Sequence, residues 1–121
     1  MLNLDTHILI YALADQGLTP KEKRLLKNDT WSISSIVVWE IHKLISLERL
    51  ELDLSERELD KLIKSLQVWP IDNDVCRASV KLDFKSDPAD ELIAATSLVH
   101  NLPLMTRDSK IRKSKMIKFA N

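Results

Sequence analysis

A single glycine, Gly17, stands in the whole chain of 121 residues. That excludes a Gly-rich phosphate loop of the P-loop or dinucleotide-binding kind, since both need several glycines for tight turns and close backbone approach. Cysteine is nearly absent too. The lone Cys76 has no intramolecular disulfide partner, reads as a small apolar filler, and fits a reducing cytoplasm. No stretch approaches the ~20 apolar residues needed to span a bilayer, so no membrane association is expected. The N-terminal run MLNLDTHILIYAL is apolar, but it carries Asp5 and lacks a basic leader, which argues against a signal peptide. Net charge is missing as well: 18 Lys and Arg balance 18 Asp and Glu. A whole-protein attraction to nucleic acid is thereby removed.

What is present suffices for one domain. A chain of this length, 45% hydrophobic, buries ~65% of its unfolded surface without staples, so residues 1–121 are expected to fold as a single unit. The charge is unevenly spread. Residues 107–121 hold Arg107, Lys110, Arg112, Lys113, Lys115 and Lys118 against Asp108 alone, a net of +5 that leaves −5 on the rest. A basic tail beside an acidic body suits an anionic polymer bound near metal ions. A solvated terminal segment is the plainer alternative.

The apolar run Leu2–Leu4 reads as a buried strand leading into a helical pattern at Thr6–Ala14. Gly17 and Pro20 break the chain, and Pro20 suits the first turn of a helix through Lys21–Asn28. Trp31–Ser34 is a second strand, with Ser34 or Ser35 capping a long helix to about Leu47. Ser55 and Glu58 form a capping box for a helix to about Leu66. Gln67–Ile71 reads as a strand that Pro70 keeps short or at a sheet edge. A helix over about Asp74–Leu82 follows, then one opened by Asp87-Pro88 and ending near Asn101. Leu104–Thr106 is a strand, with a further candidate at Met116–Ala120. Strands alternate with helices throughout, which is the pattern of an α/β fold with a mainly parallel sheet.

Four carboxylates fall at informative places. Asp5 ends the first strand, and in open parallel sheets ligands bind beyond the carboxyl ends of strands; a helix N-cap is its ordinary alternative. Glu40 lies inside the apolar arc that Ile36, Val37, Val38, Ile41, Leu44, Ile45 and Leu47 form at ~100° per residue. Burying it unpartnered is expensive, so a metal or a cation is implied. Asp90 has a structural explanation as the third residue of a helix capped by Asp87. Yet Asp90, Ala94 and Ser97 share one stripe, whose small residues leave room beside the acid. Asp108 follows the Leu104–Thr106 strand, again at a carboxyl end, where a turn aspartate is the alternative. Acids gathered from distant segments repel unless cations hold them, so a shared divalent-metal site is the simplest joint reading.

Other chemistries find less support. His7, His42 and His100 show no zinc-like spacing with Cys76. No nucleophile elbow is present. Asp5-Thr6-His7 lacks the second Asp of a phosphoaspartyl phosphatase. Trp31, Trp39 and Trp69 are too dispersed for a base-stacking platform.

The motifs L-D-T-H at Leu4–His7, S-x-x-x-x-W-E-I at Ser34–Ile41, D-P-A-D-x-L-I-A-A-T at Asp87–Thr96 and L-P-L-M-T-R-D at Leu102–Asp108 resemble the PIN-domain ribonucleases. They are most similar to the VapC-type toxins of toxin–antitoxin pairs. The likeness spans Leu2 to about Ile111, in order. It implies a PIN-like α/β/α sandwich with a central, mainly parallel sheet. Asp5, Glu40, Asp90 and Asp108 then correspond to an acidic quartet that binds Mg²⁺ or Mn²⁺, and Thr6 and Thr106 to hydroxyl positions that support it. One departure is Glu91, an acid where many relatives carry Arg.

The activity implied is that of an endoribonuclease. One or two ions, ~4 Å apart if two, would activate water and stabilise the leaving oxygen in an in-line displacement at phosphorus. The products would carry 5′-phosphate and 3′-hydroxyl ends. Arg107, Lys110 and Arg112 are the nearest candidates for gripping RNA. The resemblance also implies a small VapB-like antitoxin, a homodimer and a cytoplasmic location. Trp31, Trp39 and the helix Ile36–Leu47 are rich in large apolar groups, and a groove between this helix and Lys21–Asn28 is the expected dock for an amphipathic antitoxin peptide. A solitary RNA-processing nuclease and a non-catalytic PIN-like interaction module are the alternatives, and the retained quartet speaks against the second.

Overall fold

The computed structural model describes residues 1–50 and 52–121. Four short strands form its sheet: β1 (Leu2–Leu4), β2 (Trp31–Ser34), β3 (Gln67–Trp69) and β4 (Leu104–Met105). Their order is β3-β2-β1-β4, and every pairing is parallel. The helices are α1 (Thr6–Ala14), α2 (Pro20–Lys27), α3 (Ser35–Ser46), α4 (Glu56–Ser65), α5 (Asn73–Ser79), α6 (Pro88–His100) and α7 (Ser109–Arg112). They flank the sheet, giving the α/β layering expected from the sequence: α6 packs on β1 and β2, α3 on β2, and α6 against α3 and α5.

Local chemistry sets the helix starts. Thr19 with Glu22 and Ser55 with Glu58 form reciprocal capping boxes, and Pro20 and Pro88 occupy first-turn positions. Each motif satisfies backbone donors that the helix leaves open. Ser34, rather than Ser35, caps α3, its hydroxyl accepting from Ile36 N–H at 3.2 Å. The left-handed Asn101 closes α6. Leu4, Ile33 and Leu104 from the strands meet Ile8, Leu9, Val37, Ile41 and Ile93 from the helices in one core with essentially no solvent exposure.

Several boundaries differ from expectation. β3 stops at Trp69, directly before Pro70, which has no N–H to continue the ladder. The segment Met116–Ala120 adds one parallel bridge, Phe119 to Leu104, and no full strand. The short helix α7 was not foreseen; its four residues carry too little periodicity to register. The room expected beside Asp90 on the Ala94–Ser97 stripe is taken by β1. Asn3 is fully buried and donates from Nδ2 to Ser97 Oγ at 2.8 Å and to the Ile93 carbonyl at 3.1 Å. Small residues there let the helix approach the sheet closely.

This strand order positions a site. The chain steps from β1 outward to β2 and β3, then crosses back to place β4 on the other side of β1. The connections therefore diverge between β1 and β4, and a crevice opens beyond their carboxyl ends. Asp5 follows β1 and Asp108 follows β4 within this crevice. Among the described residues, no helix is long and apolar enough to cross a membrane.

Candidate active site

A cavity of about 350 Å³ lies at this crevice, and Asp5, Glu40, Asp90 and Asp108 all line it. Four separate segments deliver them, through the β1–α1 junction, α3, α6 and the β4–α7 junction. Asp5 is buried at 7% exposure and caps α1. Its Oδ1 accepts from Thr6 N–H at 2.7 Å and its Oδ2 from the Thr106 hydroxyl at 2.6 Å. Thr6 in turn donates its hydroxyl to Glu40 Oε1 at 2.5 Å. The two threonines thus tie the segments of three acids together, since Thr106 Oγ1 also accepts from Asp108 N–H at 3.1 Å.

Asp90 sits at the third position of α6, where its backbone N–H meets the Asp87 cap at 2.8 Å. The Ser86 hydroxyl donates to Asp90 Oδ2 at 2.7 Å. Asp108 caps α7, its Oδ1 accepting from Lys110 and Ile111 N–H at 2.9 and 3.1 Å. The ordinary cap roles of Asp5 and Asp108 therefore coexist with cavity positions. Asp108 keeps one oxygen beyond its cap bonds, whereas both Asp5 oxygens accept a hydrogen bond. Among the described residues, Glu40 Oε2, Asp90 Oδ1 and Asp108 Oδ2 receive no hydrogen bond, and no ion pair reaches Glu40.

Electrostatic tension follows. Burial pushes Asp90 up to about 6, the carboxylates of Asp87, Asp5 and Asp108 push the same way, and only the Ser86 hydroxyl opposes them. Glu40 is also raised, first by burial and then by Asp5 and Asp87, against the Thr6 hydroxyl and His7. Sequence reasoning placed Asp87 as a cap, which it is, but missed that it also lines the cavity. The Asp87-to-Asp90 spacing of one helical turn carried that signal. Ser86, Tyr11 and His7 were missed as neighbours of the acids, and only their adjacency to the motifs could have found them. Glu91 does not line the cavity; it accepts from Ser86 N–H at 3.2 Å and helps hold the loop behind Asp90.

The basic candidates divide. Arg107 lines the cavity, clamped by Glu22 (Nε to Oε2 2.8 Å, Nη2 to Oε1 2.5 Å) and by the Gly17 carbonyl, 4.7 Å from the Tyr11 ring centroid. Arg112 donates to the Thr106 carbonyl at 3.0 Å and stacks over Phe119. Lys110 is exposed and does not line this cavity.

The donor set is all hard oxygen, which fits Mg²⁺ or Mn²⁺. Among the described residues, no three His, Cys, Asp or Glu side chains converge as a ready-made metal cluster. The acids stand around the cavity walls. That spacing suits an ion that keeps part of its water shell and takes few direct carboxylates.

A large groove beside α3 faces α4. A cavity of about 900 Å³ runs between the end of α3 and the start of α4, lined by Ile45, Leu50, Leu52, Leu54 and Leu59, and α2 contributes nothing to it. Trp31 leans toward α2, donating from Nε1 to the Leu26 carbonyl at 2.8 Å, while Trp39 is 58% exposed.

A parallel sheet whose switch-point crevice gathers acids from four segments defines a class, and sequence comparison agrees with it. The PIN domain family matches residues 3–115, and the chain belongs to that family. It is similar to Ribonuclease VapC22 of Mycobacterium tuberculosis, with 29% identity over 114 residues that cover 90% of this chain and 88% of that protein. Among solved structures, VapBC2 from Rickettsia felis bound to a promoter DNA fragment matches with a TM-score of 0.75 and 22% identity, covering 100% of this chain and 98% of that one. A toxin–antitoxin complex from Klebsiella pneumoniae matches with a TM-score of 0.72 and 24% identity, over 93% and 91% of the two chains. These structural likenesses establish the fold.

Proposed function

We propose that this protein is a metal-dependent endoribonuclease and the toxin of a VapBC-type toxin–antitoxin pair. The observation that carries the proposal is the gathering of Asp5, Glu40, Asp90 and Asp108 in one crevice with three carboxylate oxygens unpartnered. These four residues would hold Mg²⁺ or Mn²⁺. When bound, the ion would supply an activated water and charge stabilisation for in-line displacement at an RNA phosphodiester. The chain's own contribution is orientation. Thr6 and Thr106 fix Asp5 and Glu40, Ser86 fixes Asp90, and the start of α7 fixes Asp108. Arg107 supplies the arginine at the cavity wall that can meet a phosphate.

The partner we propose is a small VapB-like antitoxin, supported by the complexes that the structural relatives form. Its amphipathic segment would lie on the exposed apolar side of α3 and in the α3–α4 groove. A homodimer and a cytoplasmic location belong to the same reading. The test is cleavage of labelled single-stranded RNA with Mg²⁺ or Mn²⁺, followed by analysis of the product ends. Metal-dependent cutting that leaves 5′-phosphates and stops in EDTA is expected; EDTA-resistant cutting would overturn the mechanism. Co-expression with the neighbouring upstream gene product should yield a complex that does not cut RNA. A chain that cuts RNA, is harmless on expression and copurifies with no small partner is a solitary nuclease instead.

A further inference from the structure

Arg107 is a wall shared by two cavities of opposite charge. On one side lies the acidic cavity. On the other lies a second space of about 350 Å³, between the start of α2 and the β4–α7 junction, with Lys21, Arg107 and Arg112 facing a single carboxylate, Glu22. That carboxylate is already engaged: both its oxygens accept from Arg107, and Oε1 also accepts from Thr19 N–H at 2.8 Å. The cations are less committed. Arg107 uses Nε and Nη2 and leaves Nη1 without an acceptor among the described residues. Arg112 uses Nη1 on the Thr106 carbonyl and leaves Nε and Nη2. Lys21 is exposed and forms no ion pair among the described residues.

We propose that this basic cavity is a flanking-phosphate subsite, in which RNA leaving the acidic cavity crosses Arg107 and sets its next phosphodiester against Lys21, Arg107 and Arg112. The inference rests on the nuclease reading and adds a direction to it. A polymer with one phosphodiester in the acidic cavity must place its neighbours in an adjoining space, and the space that shares a wall with it is the basic one. Glu22 and Tyr11 act as positioning residues. The carboxylate fork and the ring hold the guanidinium at the divide, so little side-chain freedom is lost when a phosphate arrives.

The test is fluorescence anisotropy with a short single-stranded RNA in EDTA, so that binding is read without cutting. Wild type is compared with Lys21→Ala, Lys21→Glu and a control reversal on α4, Lys61→Glu, over roughly 50 to 200 mM salt. Lys21→Glu should bind at least about fivefold more weakly at the lowest salt, and Lys21→Ala should flatten the log–log salt slope by about 0.7, the value for one lost contact on a single strand. Lys61→Glu should stay within about twofold of wild type, and Mn²⁺-dependent cleavage by Lys21→Ala should show a raised KM with kcat kept. If wild type cuts RNA while Lys21→Glu binds like wild type, the subsite is wrong and the nuclease reading stands. Equal losses in Lys21→Glu and Lys61→Glu would reduce the effect to bulk charge and overturn the subsite. If wild type neither binds nor cuts RNA, the nuclease reading falls and takes the subsite with it.

Discussion

Two neighbouring places in this molecule treat the carboxylate in opposite ways. In the acidic cavity, burial and like charges push Asp90 up to about 6. At the clamp beside it, hydrogen bonds from Arg107 pull Glu22 down to about 2. The clamp is a closed structure: donor and acceptor are matched, and both partners gain. The cavity is open, because its acids hold one another at a cost that the Ser86 and Thr6 hydroxyls and His7 only partly relieve. A fold keeps such tension where a ligand is meant to relieve it. The contrast predicts that removing charge from the cavity harms function and helps stability, whereas removing it from the clamp lowers stability.

The largest effect is expected on cleavage. Asp5→Asn, Glu40→Gln and Asp90→Asn should each lower the rate of metal-dependent RNA cutting by about 100-fold or more, since each removes a carboxylate charge proposed to hold the metal ion. Asparagine at position 5 can still cap α1, so circular dichroism should show an intact fold. Any one of the three retaining wild-type activity would remove that residue from the site and weaken the contrast.

Next comes stability as a function of pH. A carboxyl whose folded value is raised stabilises the fold most below its unfolded value of 3.8, and that contribution is lost as pH rises through about 6. In metal-free protein, Asp90→Asn should therefore melt about 3 °C above wild type at a pH well above 6, and the gap should close on acidifying toward 4. Equal melting temperatures at both pH values would mean that Asp90 is not under tension. Asp5 is a poorer place for this experiment, because its oxygens already take the Thr6 N–H and the Thr106 hydroxyl.

The clamp gives the smallest effect. Glu22, with a lowered value, contributes stability that is present above 4.5 and lost as pH falls through about 2. Arg107 is partly exposed, so a double-mutant cycle of Glu22→Gln and Arg107→Ala should return a coupling of only about 0.5–1 kcal/mol. A coupling of zero would make the clamp incidental.

Much of this was legible in the sequence, for physical reasons. Capping boxes and first-turn prolines are local, so the starts of α2, α4 and α6 follow from a few residues each. Glu40 stood out because helical periodicity placed an acid on an apolar face, and the structure half-buries it beside Thr6. Non-local facts were not readable. Nothing near position 22 announces a partner 85 residues away. Nothing in the Asp90–Ser97 stripe says that Asn3 will fill the space beside it. The α3–α4 groove has the same cause: the loop leucines 50, 52 and 54 become its wall only once α4 has packed.

The central claim is that Asp5, Glu40, Asp90 and Asp108 together form the divalent-metal site, and titration calorimetry with Mn²⁺ tests it most directly. Wild type should bind Mn²⁺ and release protons as Asp90 ionises, more strongly below about pH 6 than well above it. Glu40→Gln and Asp90→Asn should each bind at least about tenfold more weakly. Unchanged Mn²⁺ affinity in both variants would contradict the account, because the ion would then sit elsewhere and the four acids would share only a cavity.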